Sequence, residues 1–360
     1  MKTLHIEDWK FSLTNPIDPW APGFDDKSWQ DVIVPHDWAV TFPFSRANSS
    51  GTGYLPGGTG WYRTRFTAPP SFTGKNETAF INFDGVYKNS QVWCNGYYLG
   101  LRPSGYSAFS YDISHCVHPG DDNVIAVKVT HEDIADSRWY TGSGIYRRVT
   151  VDFHDTAYIP PRSIVVKTDV SGEKALVRVS AEIRSPTPLE KGLLAVSLTE
   201  KGAAINTTGA GPNAAVFSKE SIQLGNFTPG DTAGTSRYHI EAEIEVPRPR
   251  LWSPESPYLY TLIIEGTAQH EDGHISRISP EPLNIGIRTI KFDPDRGFFI
   301  NGESQKLKGV CVHHDAGCLG AAVRPGVWSR RLEKLNFQSS MCSVFMNKSY
   351  PSGGFLSMLF

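Results

Sequence analysis

Cysteine is scarce in this 360-residue chain: Cys94, Cys116, Cys311, Cys318 and Cys342 are scattered, odd in number, and include no Cys-x-x-Cys pair. Neither a zinc site nor a disulfide scaffold is therefore indicated, and buried free thiols are the expectation. An excess of one charge is also missing. Only 20% of residues are charged, 35 basic against 37 acidic, which disfavours a nucleic-acid partner or a phosphate-rich membrane surface. No stretch approaches the roughly 20 apolar residues of a membrane span. The first twelve residues carry Trp9, Lys10 and two acids where a secretory signal needs an apolar run, so the chain reads as cytoplasmic, with no membrane partner.

Aromatic residues, by contrast, make up 12% of the chain with nine Trp, and Gly (33) and Pro (25) are plentiful. That mixture suits β-rich domains with many turns and aromatic-lined sites. Short β-branched or aromatic runs at 61–66, 79–83, 91–94, 107–111 and 123–130 read as strands, and Asn95-Gly96 between Trp93 and Tyr97 signals a type I′ hairpin. An antiparallel sandwich follows. Residues 158–161 read as a linker, after which runs at 163–170, 175–183, 193–199, 238–246 and 259–266 give a second sandwich of immunoglobulin-like size. Residues 200–235, rich in Gly, Ala, Thr and Asn, read as loop. From Gly286 a third pattern begins: a hairpin over 298–302, a strand over 305–312 ending in His313-His314-Asp315, a glycine-bearing loop, and a helix over 327–337 with Val327, Leu332 and Leu335 on one face.

Several motifs follow one another in a fixed order. They are Val34-Pro-His-Asp-Trp38, Gly58-Thr-Gly-Trp-Tyr-Arg63, Phe83-Asp-Gly-Val-Tyr87, Val92-Trp-Cys-Asn-Gly96, Gly105-Tyr106 and Ser137-Arg-Trp-Tyr-Thr-Gly-Ser-Gly-Ile-Tyr-Arg147. Later come Leu251-Trp-Ser-Pro254, Pro257-Tyr-Leu-Tyr260, Gly286-Ile-Arg288, Ile300-Asn-Gly302 and Lys308-Gly-Val310 through His313-His-Asp315. Together they resemble glycoside hydrolase family 2, in its β-galactosidase-like branch, over nearly the whole of 1–336. The resemblance implies a mostly β chain. It divides into a jelly-roll sugar-binding domain (1–157), an immunoglobulin-like sandwich (162–285), the start of a TIM (β/α)8 barrel (286–337) and an aberrant tail (338–360).

The resemblance also implies hydrolysis of terminal β-galactosides or related β-glycosides with retention, by two barrel glutamates about 5 to 5.5 Å apart. Neither is found here: the Asn76-Glu77 pair sits in the first domain and cannot be carried over. A TIM barrel typically needs about 250 residues, whereas 75 run from Gly286 to Phe360. The chain as written is therefore expected to be truncated and inactive. Residues 348–355 can moreover be back-translated so that the next reading frame gives Ser-His-Thr-Pro-Ala-Glu-Asp, the segment the family carries here, so a frameshifted or mis-spliced tail is the expectation.

Substrate-binding candidates are Asp136, Ser137, Arg138 and Trp139, on a loop that in the family reaches the sugar pocket, and His313, His314 and Asp315, at the C-terminal end of the first barrel strand. The alternatives are structural: Trp139 and Tyr140 locking an inter-domain corner, and a His-Asp pair bracing the barrel mouth. His36, Asp37 and Trp38 are read as structural braces. No catalytic residue, metal site or cofactor is assigned. The expected partner is carbohydrate, with self-association left open; the rival reading is a non-catalytic carbohydrate-binding or interaction fragment.

Overall fold

The computed structural model describes residues 2–75, 77–132, 137, 139–160, 163–200, 205–206, 209–210, 216–223, 227–228, 236–307, 309–338 and 343–346, with the backbone alone described at 205–206, 209–210, 216–223, 227–228, 309–311, 335–338 and 343–346. It is mostly β and divides into two compact units, one of Lys2–Phe153 with Gly309–Ser352, the other of His154–Lys308.

In the first unit the strands are β1 (Lys2–His5), β2 (Asp8–Ser12), β3 (Gln30–Ile33), β4 (Gly58–Thr67), β5 (Glu77–Phe83), β6 (Ser90–Cys94), β7 (Tyr97–Arg102), β8 (Phe109–Asp112), β9 (Asp122–His131) and β10 (Val149–Asp155). They form a six-stranded sheet in the order β3-β2-β4-β9-β6-β7 and a four-stranded sheet in the order β1-β10-β5-β8. Alternation along the strands sends one face of each sheet into a common core. Tyr62, Val92, Val127 and Val129 from the larger sheet share it with Ile81, Phe83 and Val151 from the smaller. Trp38, fully buried, stacks on Phe11 with ring centroids 5.5 Å apart. The Asn95-Gly96 hairpin is present: both residues have positive φ, 48° and 86°, as a type I′ turn requires.

In the second unit the strands are β11 (Val165–Ser171), β12 (Lys174–Ser185), β13 (Leu189–Glu200), β14 (Ile205–Asn206), β15 (Gly209–Ala210), β16 (Val216–Gln223), β17 (Phe227–Thr228), β18 (Ser236–Pro247), β19 (Tyr260–His270), β20 (Ile275–Ile278), β21 (Leu283–Ile285), β22 (Ile290–Asp293), β23 (Gly297–Ile300) and β24 (Glu303–Gln305). Two sheets, β11-β12-β18-β17 and β16-β13-β19-β20, enclose a core of alternating residues, among them Val177, Val179, Ile183, Leu194, Val196, Ile240, Ile244, Leu262 and Ile264. Strands β22 to β24 make a small antiparallel meander.

Four local readings change. Residues 200–235 are not all loop: β16 pairs with β13 at the sheet edge, held by backbone register rather than by an apolar pattern of its own. Tyr158 and Ile159, read as linker, are buried, and Tyr158 exchanges backbone hydrogen bonds with Arg184. The strand expected over 305–312 is two: β24 stops at Gln305 and β25 (Gly309–Val312) begins after an exposed Leu307. Helix α1 (Pro325–Gln338) is anchored by buried Trp328, with Val327 and Leu332 only half-buried, and β26 (Ser343–Met346) runs parallel to β25. Among the described residues no closed barrel is present.

Candidate functional site

The site lies in the unit of Lys2–Phe153 with Gly309–Ser352, where three loops converge: residues 34–38 after β3, residues 139–148 between β9 and β10, and residues 313–323 between β25 and α1. Asp37 ties them together. Its side chain is 2% exposed, and an uncompensated carboxylate there would be costly. Four donors answer it. Oδ1 accepts the N–H of Ala39 (3.2 Å) and of Ser143 (3.0 Å), and Oδ2 accepts the Tyr140 hydroxyl (2.7 Å) and the N–H of Ala321 (2.8 Å). Burial pushes the Asp37 carboxyl above its ordinary range, and these bonds pull against that rise. Burial and the adjacent Asp37 charge together raise the Tyr140 hydroxyl, keeping it a donor.

Two glycines make the approach feasible. Gly142 (φ 71°) and Gly320 (φ 59°) both have positive φ, and a Cβ at Gly142 would sit 2.7 Å from Asp37 Oδ2, while one at Gly320 would land on the same atom. Backbone bonds complete the seam: His36 N–H to the Ile145 carbonyl (2.8 Å) and Trp38 N–H to the Ser143 carbonyl (3.0 Å). Burial lowers the His36 imidazole to about 4, and its Nδ1 lies 2.9 Å from the Tyr62 hydroxyl. His36, Asp37 and Trp38 thus hold these loops together.

The braced loops bring Trp139 to His313-His314-Asp315. The Trp139 and His313 rings meet edge-on with centroids 5.2 Å apart, and His313 is exposed. His314 is buried; its Nε2–H donates to the Thr141 carbonyl (3.0 Å), and its ring packs against Tyr106 at 5.5 Å and Tyr146 at 5.4 Å. Asp315 is half-buried, and its carbonyl accepts Arg331 Nη1 of α1 at 2.7 Å. Ser137 has a buried hydroxyl with no partner among the described residues, while Asp136 and Arg138 lie outside them.

Tyr106 belongs to this group but was singled out in the sequence only as part of Gly105-Tyr106. Its hydroxyl accepts Trp139 Nε1–H at 3.2 Å, and its ring faces His314 and, at 5.2 Å, Tyr87. Glu77, by contrast, opens β5 and accepts from the Thr73 N–H (2.6 Å) and hydroxyl (2.9 Å), far in sequence from these loops. Among the described residues no group of three His, Cys, Asp or Glu side chains could hold a metal ion. The site offers ring faces beside imidazole and carboxylate groups. Such a surface suits a polar ligand with an apolar face, the chemistry of a sugar ring.

A β-rich chain with an aromatic, polar-edged site is the class that this fold and geometry define. Residues 21–154 match the family model described as glycosyl hydrolases family 2, sugar binding domain, and residues 157–288 match the model described as glycosyl hydrolases family 2. The chain belongs to glycoside hydrolase family 2, of which it carries an N-terminal portion. It is 36% identical over 335 residues to the β-galactosidase BoGH2A of Bacteroides ovatus, an alignment covering 91% of this chain and 36% of that protein. A family 2 glycosyl hydrolase from Bacteroides cellulosilyticus superposes with a TM-score of 0.82 at 29% identity, over 96% of this chain and 43% of the other. A β-glycosidase from Bacteroides vulgatus gives 0.80 at 32% identity, over 96% and 41%. The chain thus spans well under half the length of these relatives.

Proposed function

We propose that this chain is the substrate-orienting portion of a retaining β-glycosidase acting on terminal β-galactosides or related β-glycosides. The observation that carries the reading is the meeting of Trp139 with His313 and of His314 with Thr141, segments more than 170 residues apart, on loops braced through Asp37. In this reading residues 1–157 are a jelly-roll sugar-binding domain, 162–285 an immunoglobulin-like sandwich, 286–337 the opening of a TIM barrel and 338–360 an aberrant tail. Strand β25 followed by helix α1, a strand-then-helix unit within 286–338, supports the barrel opening. Trp139 offers a ring face to the sugar, and His313, Asp315, Asp136, Ser137 and Arg138 hydrogen-bond its hydroxyls. His314, bonded to Thr141, positions its neighbours.

Retention needs both an acid to protonate the leaving oxygen and a carboxylate nucleophile. The family resemblance places both on later barrel strands. The 360-residue chain alone therefore binds without turning over. Release of nitrophenol from an aryl β-galactoside by the purified chain, above the rate of a Trp139→Ala, His313→Ala control, would refute this division of labour. The expected result is no release above buffer.

A further inference from the structure

Tyr106 lies in the loop between β7 and β8, whose backbone is pinned from both sides of Gly105. Ser104 Oγ accepts the N–H of Tyr106 (3.4 Å) and of Ser107 (3.3 Å), and the Gly105 carbonyl accepts the Tyr146 hydroxyl (2.7 Å). Gly105 has no room for a side chain: a Cβ there would run into the Tyr87 ring. That ring is buried and packs edge-on against Tyr106, centroids 5.2 Å apart, and against His131, at 5.0 Å. His131 Nδ1 in turn lies 2.7 Å from Ser143 Oγ, and the Ser143 N–H is one of the donors to Asp37. Tyr106 is thus seated on buried groups that lead back to the carboxylate joining the three loops.

Trp139 receives two restraints at the other end of this series. Its Nε1–H donates to the Tyr106 hydroxyl at 3.2 Å, and its ring meets His313 edge-on at 5.2 Å. An indole turns about two side-chain torsions, the second of which is broad, and it has a single N–H to give. A bond at Nε1 stops the swing about that second torsion. With the N–H directed at Tyr106, Trp139 meets a ligand through its ring. Fixing the ring beforehand spares binding the cost of ordering it.

We propose that Tyr106 is a positioning residue: it holds the Trp139 ring in the orientation that stacks on a sugar and makes no contact with the sugar itself. The inference rests on the functional reading above and adds to it a residue that acts only through Trp139.

The test is a calorimetric titration of lactose into the full chain and into its Tyr106→Phe, Trp139→Phe and doubly substituted variants. Tyr106→Phe keeps the ring that packs on Tyr87 and His314 and removes the hydroxyl. Its lactose affinity should fall about fivefold, the worth of one hydrogen bond. Trp139→Phe keeps a ring for the sugar and removes the N–H, so adding Tyr106→Phe to it should cost nothing more. In the nitrogen–proton correlation spectrum without sugar, the Trp139 indole resonance, assigned by its loss in Trp139→Phe, should move upfield in Tyr106→Phe. A Tyr106 that serves only packing would leave that resonance in place. An unmoved indole resonance, an unchanged affinity in Tyr106→Phe, or a further loss in the double variant would each overturn the proposal. Absence of lactose binding by the unsubstituted chain would sink the functional reading and this inference with it, whereas equal binding by the unsubstituted chain and Tyr106→Phe would sink this inference alone.

Discussion

At the residue scale, Asp37 carries the heaviest structural duty of the described site. Its carboxylate satisfies four donors from three loops, and Asp37→Asn turns an NH2 group either onto the Ala321 N–H or onto the Ala39 and Ser143 N–H groups, donor against donor. The loss should be about 2–4 kcal/mol, measured as a fall in unfolding free energy by urea titration. His36 gives a pH signature. Burial holds its imidazole at about 4 against 6.5 when exposed, so the unfolded chain binds a proton first as pH falls. Its contribution is fully present above 6.5 and is lost as pH falls toward 4, on the order of 3 kcal/mol. His36→Gln should flatten that slope between pH 7 and 4, and an unchanged slope would exclude His36 as its source. Asp155 behaves in the carboxylate manner. Burial raises it, but bonds from Arg277 N–H, His274, Thr156 N–H and Ser276 carry it below 3.8 overall. Its stabilising effect should hold above pH 3.8 and disappear as pH falls further, a dependence absent from Asp155→Asn.

At the element scale, the turn after β6 shows how a local signal and a tertiary one combine. Asn95-Gly96 was legible because a two-residue type I′ turn demands positive φ twice. What no local pattern revealed is that the Asn95 side chain also ties Cys116, Asn123 and Val124. Asn95→Gly keeps the turn and removes the tie, and should cost about 2–3 kcal/mol by thermal or urea unfolding. A cost below a few tenths would reduce Asn95 to a turn residue. Most strands were readable because a half-buried strand alternates with period two, as β12 and β18 do along their whole lengths. Strand β16 was not, since Ser-Lys-Glu-Ser interrupts its centre and its place comes from pairing with β13. Likewise β26 acquires its strand identity from lying parallel to β25.

At the scale of the whole molecule, the order of motifs pointed to the family whose models match residues 21–154 and 157–288, and the fold sets Trp139 against His313. The brace and the bridge were harder to see. Asp37 was read as a brace, but its partners Tyr140, Ser143 and Ala321 lie between 103 and 284 residues away, and no spacing rule links them. Tyr106 joins Trp139 to His314 for the same reason: a fold, not a pattern, brings them together.

The central claim is that this portion of a family 2 glycoside hydrolase presents a sugar-contacting surface built on Trp139 and His313 and leaves cleavage to residues elsewhere. Its most direct test is a calorimetric titration of lactose into the full 360-residue chain and into its Trp139→Ala, His313→Ala variant. We predict saturable binding in the millimolar range for the unsubstituted chain, weakened at least about tenfold in the variant, equivalent to about 1.4 kcal/mol. Equal binding by both would contradict the account, as would no heat from the unsubstituted chain at saturating sugar.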